Sequence, residues 1–105
     1  MADKKRRKKR RNKNHALIAA LRHPLRREIL RRMSDGRKAS PSELAEELGE
    51  ALSTVAYHVR VLAESGALKR DGEQQVRGTK QHFYRWAVEE DWVESMLEED
   101  EEQSP

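Results

Sequence analysis

A group of polar and small side chains between residues 53 and 60 has the types and spacing needed to contact base edges and phosphates. Apolar residues recur there at intervals that match one buried helix face, namely Leu52, Val55, Val59 and Leu62. The opposite face of the same helix then carries Ser53, Thr54, Ala56, Tyr57 and Arg60. Hydroxyl groups and a guanidinium can donate to bases and phosphates, and a small alanine allows close approach or contact with a thymine methyl group. The pattern indicates a recognition helix for the DNA major groove, from Leu52 to Glu64.

His58 lies beside the buried stripe, so two roles stay open for it. One is a partly buried histidine with satisfied hydrogen bonds, and the other is a phosphate contact, for which we count His58 among the candidate DNA-binding residues. Catalysis is not expected, because Ser53 and His58 lie five residues apart on one helix and point in different directions. The sequence also has no glycine-rich phosphate loop, metal-ligand cluster or triad.

The segment that must position this helix runs from Ser40 to Leu68 and has the pattern of two helices joined by a tight turn. Ser40 followed three residues later by Glu43 predicts a capping box at the start of the first helix. Gly49 is placed where that helix ends and the chain turns left-handed. Ala45 is small enough to let the two helices cross closely. These signals predict a helix-turn-helix, although two core helices of an ordinary bundle would share some of them.

Two further helices are predicted before this unit. The first begins near Asn14 and ends near His23, because the residue before Pro24 is pushed away from helical angles. The second begins at Pro24, ends at Asp35-Gly36, and has a buried stripe formed by Leu25, Ile29, Leu30 and Met33. Its arginines are expected on the solvent side.

After Gly66 the pattern changes to a β-hairpin. Ala67–Arg70 and Gln81–Val88 are strand-like, and Asp71-Gly72 and Gly78-Thr79 are turn signals. The tip would carry Arg77 and Lys80, which either contact the DNA backbone or minor groove or simply keep the loop soluble. The predicted fold is mainly α with a small β-hairpin: a winged helix-turn-helix over residues 15–88, with a three-helix core, a wing and a C-terminal helix.

The two ends of the chain carry opposite charges. Residues 1–14 are predicted to form a disordered arm whose cations contact DNA phosphates, namely Lys4, Lys5, Arg6, Arg7, Lys8, Lys9, Arg10, Arg11 and Lys13. A nuclear localisation signal (in a eukaryote), a segment folded back on the acidic end and an inert tail remain alternatives. Residues 89–105 are predicted to form an acidic helix, capped by Asp91, with a tail that frays from Glu98 onward. The apolar stripe of this helix either packs on its own domain or covers a second subunit. For the second case, the predicted dimer interface comprises Leu17, Trp92, Val93, Met96 and Leu97.

The composition narrows the classes of function. The chain has no cysteine, which excludes disulfides and thiolate chemistry and fits a reducing cytoplasm. No apolar run approaches the roughly 20 residues that a membrane span needs. Residues 14–88 carry thirteen Lys/Arg and nine Asp/Glu, a mild excess of positive charge that favours a polyanionic partner.

Several segments together resemble one family. They are His23–Arg26 with Ile29-Leu30, Ser42–Gly49, Ser53–Leu68 and His82–Arg85. Over roughly His15–Val88 they resemble ArsR-type bacterial winged-helix transcriptional regulators. The resemblance implies a cytoplasmic homodimer that binds double-stranded operator DNA, acts as a repressor and senses a metal or another signal. No metal or other cofactor is expected here, because there is no cysteine and His15, His23, His58 and His82 show no helical ligand spacing. The effector stays unknown, and a winged-helix protein-interaction or nonspecific architectural DNA-binding protein is the alternative function.

Overall fold

The computed structural model describes residues 14–102, with side chains through residue 98. Five helices and three strands follow one another in this part of the chain. They are α1 (residues 14–20), α2 (Pro24–Met33), β1 (Lys38–Ala39), α3 (Pro41–Leu48), α4 (Leu52–Glu64), β2 (Leu68–Val76), β3 (Thr79–Trp86) and α5 (Asp91–Glu102). Helices α3 and α4 form the predicted helix-turn-helix, and β2 with β3 forms the predicted wing.

The ends of α3 follow the signals in the sequence. The Glu43 backbone N–H donates to Oγ of Ser40 at 3.2 Å, and the Ser40 backbone N–H donates to the Glu43 carboxylate at 3.0 Å, so the capping box is confirmed. Gly49 ends the helix with a φ of 66°, in the left-handed region that costs glycine little. The turn between the two helices therefore has the geometry that the sequence predicts.

The sheet has three antiparallel strands in the order β1-β3-β2, one strand more than the sequence predicts. Strand β1 has only two residues, which pair with Arg85 and Tyr84 of β3. Two residues are too few to show an alternating pattern, so this strand could not be recognised in advance. It anchors the wing to the chain just before α3.

The wing is longer than predicted, because Asp71-Gly72 is not a turn. Strand β2 continues through this dipeptide, with a register irregularity between Arg70 and Glu73 and a φ of 90° at Gly72. A bulge with a glycine in a left-handed conformation absorbs the one extra residue without ending the strand. The chain reverses at Arg77-Gly78, where both residues have positive φ, as short hairpin turns between twisted strands require.

One hydrophobic core holds the helices and the base of the wing together. Its largest fully buried side chains are Ile29, Leu30, Met33, Leu44, Val55, Val59, Leu62, Leu68 and Val93. Leu52, predicted as the first residue of the buried stripe of α4, is instead 52% exposed. It is the first residue of the helix, and side chains on a helix lean toward its N-terminus, so Leu52 points beyond the core.

Helix α5 packs on its own domain. Leu17, Val93 and Leu97 are buried in the core of the single chain, and Nε of Arg31 donates to the backbone carbonyl of Leu97 at 3.3 Å. The prediction that a second subunit covers these three residues is therefore wrong, because the core of the single chain already buries them. Trp92 remains 38% exposed and Met96 is half-buried.

Other expectations at the two ends have mixed outcomes. Of the arm predicted over residues 1–14, only Asn14 is described; it already lies inside α1 and is not its cap, and the nine cations lie outside the described residues. Asp91 is likewise inside α5, and the helical backbone continues past Glu98 to Glu102. Within residues 14–102, no helix is long and apolar enough to cross a membrane.

Candidate nucleic-acid interface

The outer face of α4 presents the polar residues that the sequence assigns to DNA. Ser53, Thr54 and Arg60 are exposed, Tyr57 is 56% exposed, and Ala56 is half-buried. The inner face is fully buried through Val55, Val59 and Leu62, which fixes the rotation of the helix about its axis. The polar face is therefore held outward by the core.

The N-terminal end of α4 is free of competing groups. No side chain caps its first backbone N–H groups, and its first turn contains no acidic residue. Unpaired N–H groups and the positive end of the helix dipole attract anions. This end of the helix is electrostatically suited to a phosphate.

A cavity of about 280 Å³ separates α4 from the wing, and we call it the wing groove. Helix α4 lines it with Leu52, Ala56 and Arg60, and the start of α3 adds Pro41 and Ser42. Strand β3 supplies the remaining side of the groove, with Thr79, Lys80, Gln81, His82 and Tyr84. Three of the lining residues can carry positive charge, and no lining residue is acidic.

The Glu73 carboxylate nevertheless lies close to two of these basic side chains, Lys80 and His82. Oε1 of Glu73 lies 3.4 Å from Nζ of Lys80, and Oε2 of Glu73 lies 3.5 Å from Nδ1 of His82. The Arg70 guanidinium also contacts the His82 ring. No pattern in the sequence indicates this role for Glu73, because the pairing depends on the register that sets Glu73 opposite His82 across the bulge.

The hairpin tip carries the other predicted wing cation. Arg77 is exposed and has a φ of 51°, a left-handed conformation that is uncommon for a residue with a side chain. The tight turn imposes this backbone, and it fixes the direction in which the side chain leaves the wing. Arg77 does not line the wing groove, so it would meet DNA at a separate point.

His58 is buried at 6% exposure, which contradicts a phosphate contact. Its ring centroid lies 4.2 Å from that of His23, the residue that caps α2, and 5.2 Å from that of Tyr57. Burial lowers the pKa of His58, and the nearby charges of His23 and Arg26 lower it further. The reading as a buried histidine with satisfied hydrogen bonds is only half right, because Nδ1 of His58 has no hydrogen-bond partner among the described residues.

The structure thus brings together part of the predicted site. Ala56, Arg60 and Lys80 share the wing groove, while Ser53, Thr54 and Tyr57 lie on the adjoining face of α4. His58 lies behind that face. No sequence pattern predicted the groove residues Ser42, Gln81, His82 and Tyr84, since only the folded chain brings α3, α4 and the wing together around the groove.

No group of three or more histidine, cysteine, aspartate or glutamate side chains within the described part of the chain could hold a metal ion.

Comparison with known protein families gives a match over the centre of the chain. Residues 21–71, which span α2 to the first part of β2, match the family described as Helix-turn-helix domain. The matched residues include the whole of α3 and α4. The predicted recognition helix lies wholly inside the match, so the assignment made from the capping box, Gly49 and the α4 stripe is confirmed.

Solved structures extend the comparison to the wing and α5. Reduced HlyU from Vibrio cholerae is 23% identical, with a TM-score of 0.67 and coverage of 94% of this chain and 96% of that one. The transcriptional repressor BigR from Xylella fastidiosa is 27% identical, with a TM-score of 0.64 and 97% coverage of both chains. A search of curated proteins found no match.

A third structure comes from Mycobacterium bovis. It is a homodimeric winged helix-turn-helix DNA-binding domain, described as a possible ArsR-family transcriptional regulator. It is 20% identical, with a TM-score of 0.65 and coverage of 85% of this chain and 75% of that one. The winged helix-turn-helix fold is confirmed, and the description of this third structure agrees with the resemblance to ArsR-type regulators.

Proposed function

We propose that this chain is a sequence-specific double-stranded DNA-binding transcriptional regulator that acts as a repressor in the bacterial cytoplasm. Helix α4 enters the major groove, and the wing and the basic arm contact the backbone or the minor groove. The observation that carries the proposal is the polar outer face of α4 next to a groove lined by basic and uncharged residues. The similar structures, which include a transcriptional repressor and a homodimeric DNA-binding domain, support it.

The roles divide between specificity and affinity. Ser53, Thr54, Ala56 and Tyr57 are on the exposed side of α4 and would face base edges, which carry the sequence information. Arg60 and Lys80 line the wing groove beside that helix and would contact phosphates, which fix orientation but carry no sequence information. Arg77 at the tip would reach the backbone or minor groove at a second point.

Assembly as a homodimer is part of the proposal. The exposed apolar side chains available at the ends of the domain are Ile18, at 46% exposure, and Trp92, at 38%, with the half-buried Met96 on the same helix as Trp92. The homodimeric domain from Mycobacterium bovis supports a dimer of this fold. A two-fold dimer binds two half-sites in inverted orientation, about one helical turn apart.

The test is a selection of bound duplexes from a random DNA pool at about 150 mM salt, where nonspecific binding is weak. We expect enrichment of two similar inverted half-sites about 10 base pairs apart. The Tyr57→Ala variant should enrich a degenerate base at one position of each half-site, and Lys80→Gln should enrich the wild-type sequence with lower yield. Retention of DNA without enrichment would reject sequence-specific regulation and favour an architectural role.

A further inference from the structure

His23 and His58 join the start of α2 to the middle of the recognition helix. Their ring centroids are 4.2 Å apart with the planes tilted by 44°, and the His58 side chain is almost completely buried. His23 also caps α2, because its Nδ1 accepts a hydrogen bond from the Leu25 backbone N–H at 3.2 Å. The two rings are far apart in sequence, so only the fold creates this contact.

The surroundings of His58 favour an uncharged ring. Nδ1 of His58 has no hydrogen-bond partner in the described residues, and neither has Nε of the neighbouring Arg26. The groups that act electrostatically on His58 are His23 and Arg26, both on the α2 side, and both repel a positive charge. On its own helix, His58 is in edge contact with the uncharged Tyr57 ring. An imidazolium at position 58 would therefore be a buried charge without a partner.

We propose that the His23–His58 contact is an acid-sensitive latch between α2 and the recognition helix, and that proton uptake opens it and weakens DNA binding. The effect on DNA rests on the function proposed above, whereas the effect on the fold does not. His58 is adjacent to Tyr57 on α4, so a displacement of the His58 ring moves the face that would read the bases.

The direction of the pH effect follows from the neutral state of His58. Its pKa in the folded chain is below the ordinary value of about 6.5, so the unfolded chain binds the proton at higher pH. The contribution of the latch to stability is complete above that ordinary value. It is lost as the pH falls below about 6.5 toward the folded pKa, where the loss levels off.

The first experiment needs no DNA. The histidine ring protons of the whole chain are followed by NMR from pH 8 to pH 5, and His58 is assigned with the His58→Phe variant. We expect the His58 resonance to titrate below the ordinary histidine value, and thermal unfolding to lose less stability on acidification in His58→Phe than in wild type. A His58 ring that titrates at or above the ordinary value would overturn the latch.

The second experiment measures affinity for the selected operator at pH 7.5 and pH 5.5. Between pH 7.5 and pH 5.5, the affinity of wild type should fall roughly three- to tenfold more than that of His58→Phe, since one proton is linked to opening. His15→Gln, which removes an exposed histidine from α1, is the matched control and should behave as wild type. His23→Asn keeps a capping side chain on α2 and should also flatten the pH dependence.

The outcomes separate the two proposals. Equal pH dependence in wild type, His58→Phe and His23→Asn would reject the latch while leaving DNA binding intact. If no operator is enriched, the ring titration and the unfolding curves still decide the latch, because both use the free protein. If His58→Phe fails to fold, His58→Gln and His23→Asn provide the same comparison.

Discussion

Nζ of Lys80 lies 3.4 Å from Oε1 of Glu73, so the wing cation next to the recognition helix is paired in the free protein. The same carboxylate reaches Nδ1 of His82 at 3.5 Å. Lys80 and Glu73 are both more than half exposed, and exposed pairs of this kind contribute at most about 1 kcal/mol. A DNA phosphate can therefore replace Glu73 as the partner of Lys80 at small cost.

Removing this carboxylate should strengthen binding. We expect Glu73→Gln to raise affinity roughly two- to fivefold for operator and unrelated DNA alike, with a gain that shrinks as salt rises, because phosphate contacts are independent of sequence and screened by salt. Fluorescence anisotropy titrations at two salt concentrations would measure this. Glu94→Gln makes the same charge change on α5 and should have a smaller effect. Equal gains in the two variants would mean that net charge alone is responsible.

Tyr57 provides the sharpest test of base contact. It is 56% exposed on the outer face of α4, so Tyr57→Ala should leave thermal stability within about 0.5 kcal/mol of wild type. Its affinity for the operator should fall by about 1–3 kcal/mol, in line with the loss of one good base contact. Tyr57→Phe separates the hydroxyl from the ring. Unchanged operator affinity in Tyr57→Ala would remove this residue from the interface.

The basic arm should contribute affinity without specificity. Deleting residues 1–13 removes nine of the 22 Lys and Arg residues of the chain and leaves α1 intact from Asn14 onward. We expect weaker binding to all duplexes and a smaller slope of log affinity against log salt, because fewer counterions are released. A loss confined to the operator would show instead that the arm reads sequence.

Local signals in the sequence predicted the helix-turn-helix well. Ser40, Glu43 and Gly49 act through backbone groups within a few residues, so their effect on α3 does not depend on distant contacts. The burial predicted for the α4 stripe is confirmed at Val55, Val59 and Leu62. It is wrong at Leu52, which is the first residue of the helix. Periodicity alone cannot tell which end of a stripe extends beyond the core.

The features that the sequence did not predict all depend on tertiary contacts. The pairing of Glu73 with Lys80 requires the register across a bulge, and the contact of His23 with His58 requires the packing of α2 on α4. The apolar stripe of α5 was recognised, but its pattern is the same whether it packs on its own domain or on a second subunit. Burial of Val93 and Leu97 in the single chain settles that point.

A bidentate ion pair should make part of the stability depend on pH. The Arg37 guanidinium donates to both carboxylate oxygens of Glu47 at 3.0 and 2.5 Å, and this hydrogen bonding lowers the pKa of Glu47. The stabilisation is present above the unfolded pKa of about 4.3 and is lost as the pH falls through the lower folded value. Glu47→Gln should cost about 0.5–1 kcal/mol near neutral pH, because the pair is partly exposed.

Urea unfolding of wild type and Glu47→Gln between pH 7 and pH 3 would measure this effect. The two free energies of unfolding should converge at the acid end, where Glu47 is protonated in both states. Glu46→Gln, at an exposed position next in sequence, should follow the wild-type curve. A constant difference between wild type and Glu47→Gln across the whole range would mean that packing, not charge, is responsible.

Of two adjacent residues of α5, Val93 should contribute mainly to folding and Trp92 mainly to assembly. Val93 is fully buried in the core, so Val93→Ala should lower the free energy of unfolding by about 1–3 kcal/mol through lost contacts and a residual cavity. Trp92 is 38% exposed, so Trp92→Ala should cost the single domain less and instead weaken the proposed dimer. Analytical ultracentrifugation over a concentration series, together with urea unfolding, would separate the two effects. Val93 contacts its own core. If Val93→Ala dissociates the dimer but leaves the free energy of unfolding of the domain unchanged, that result would contradict the packing of α5. Unchanged association in Trp92→Ala would place the subunit contact elsewhere.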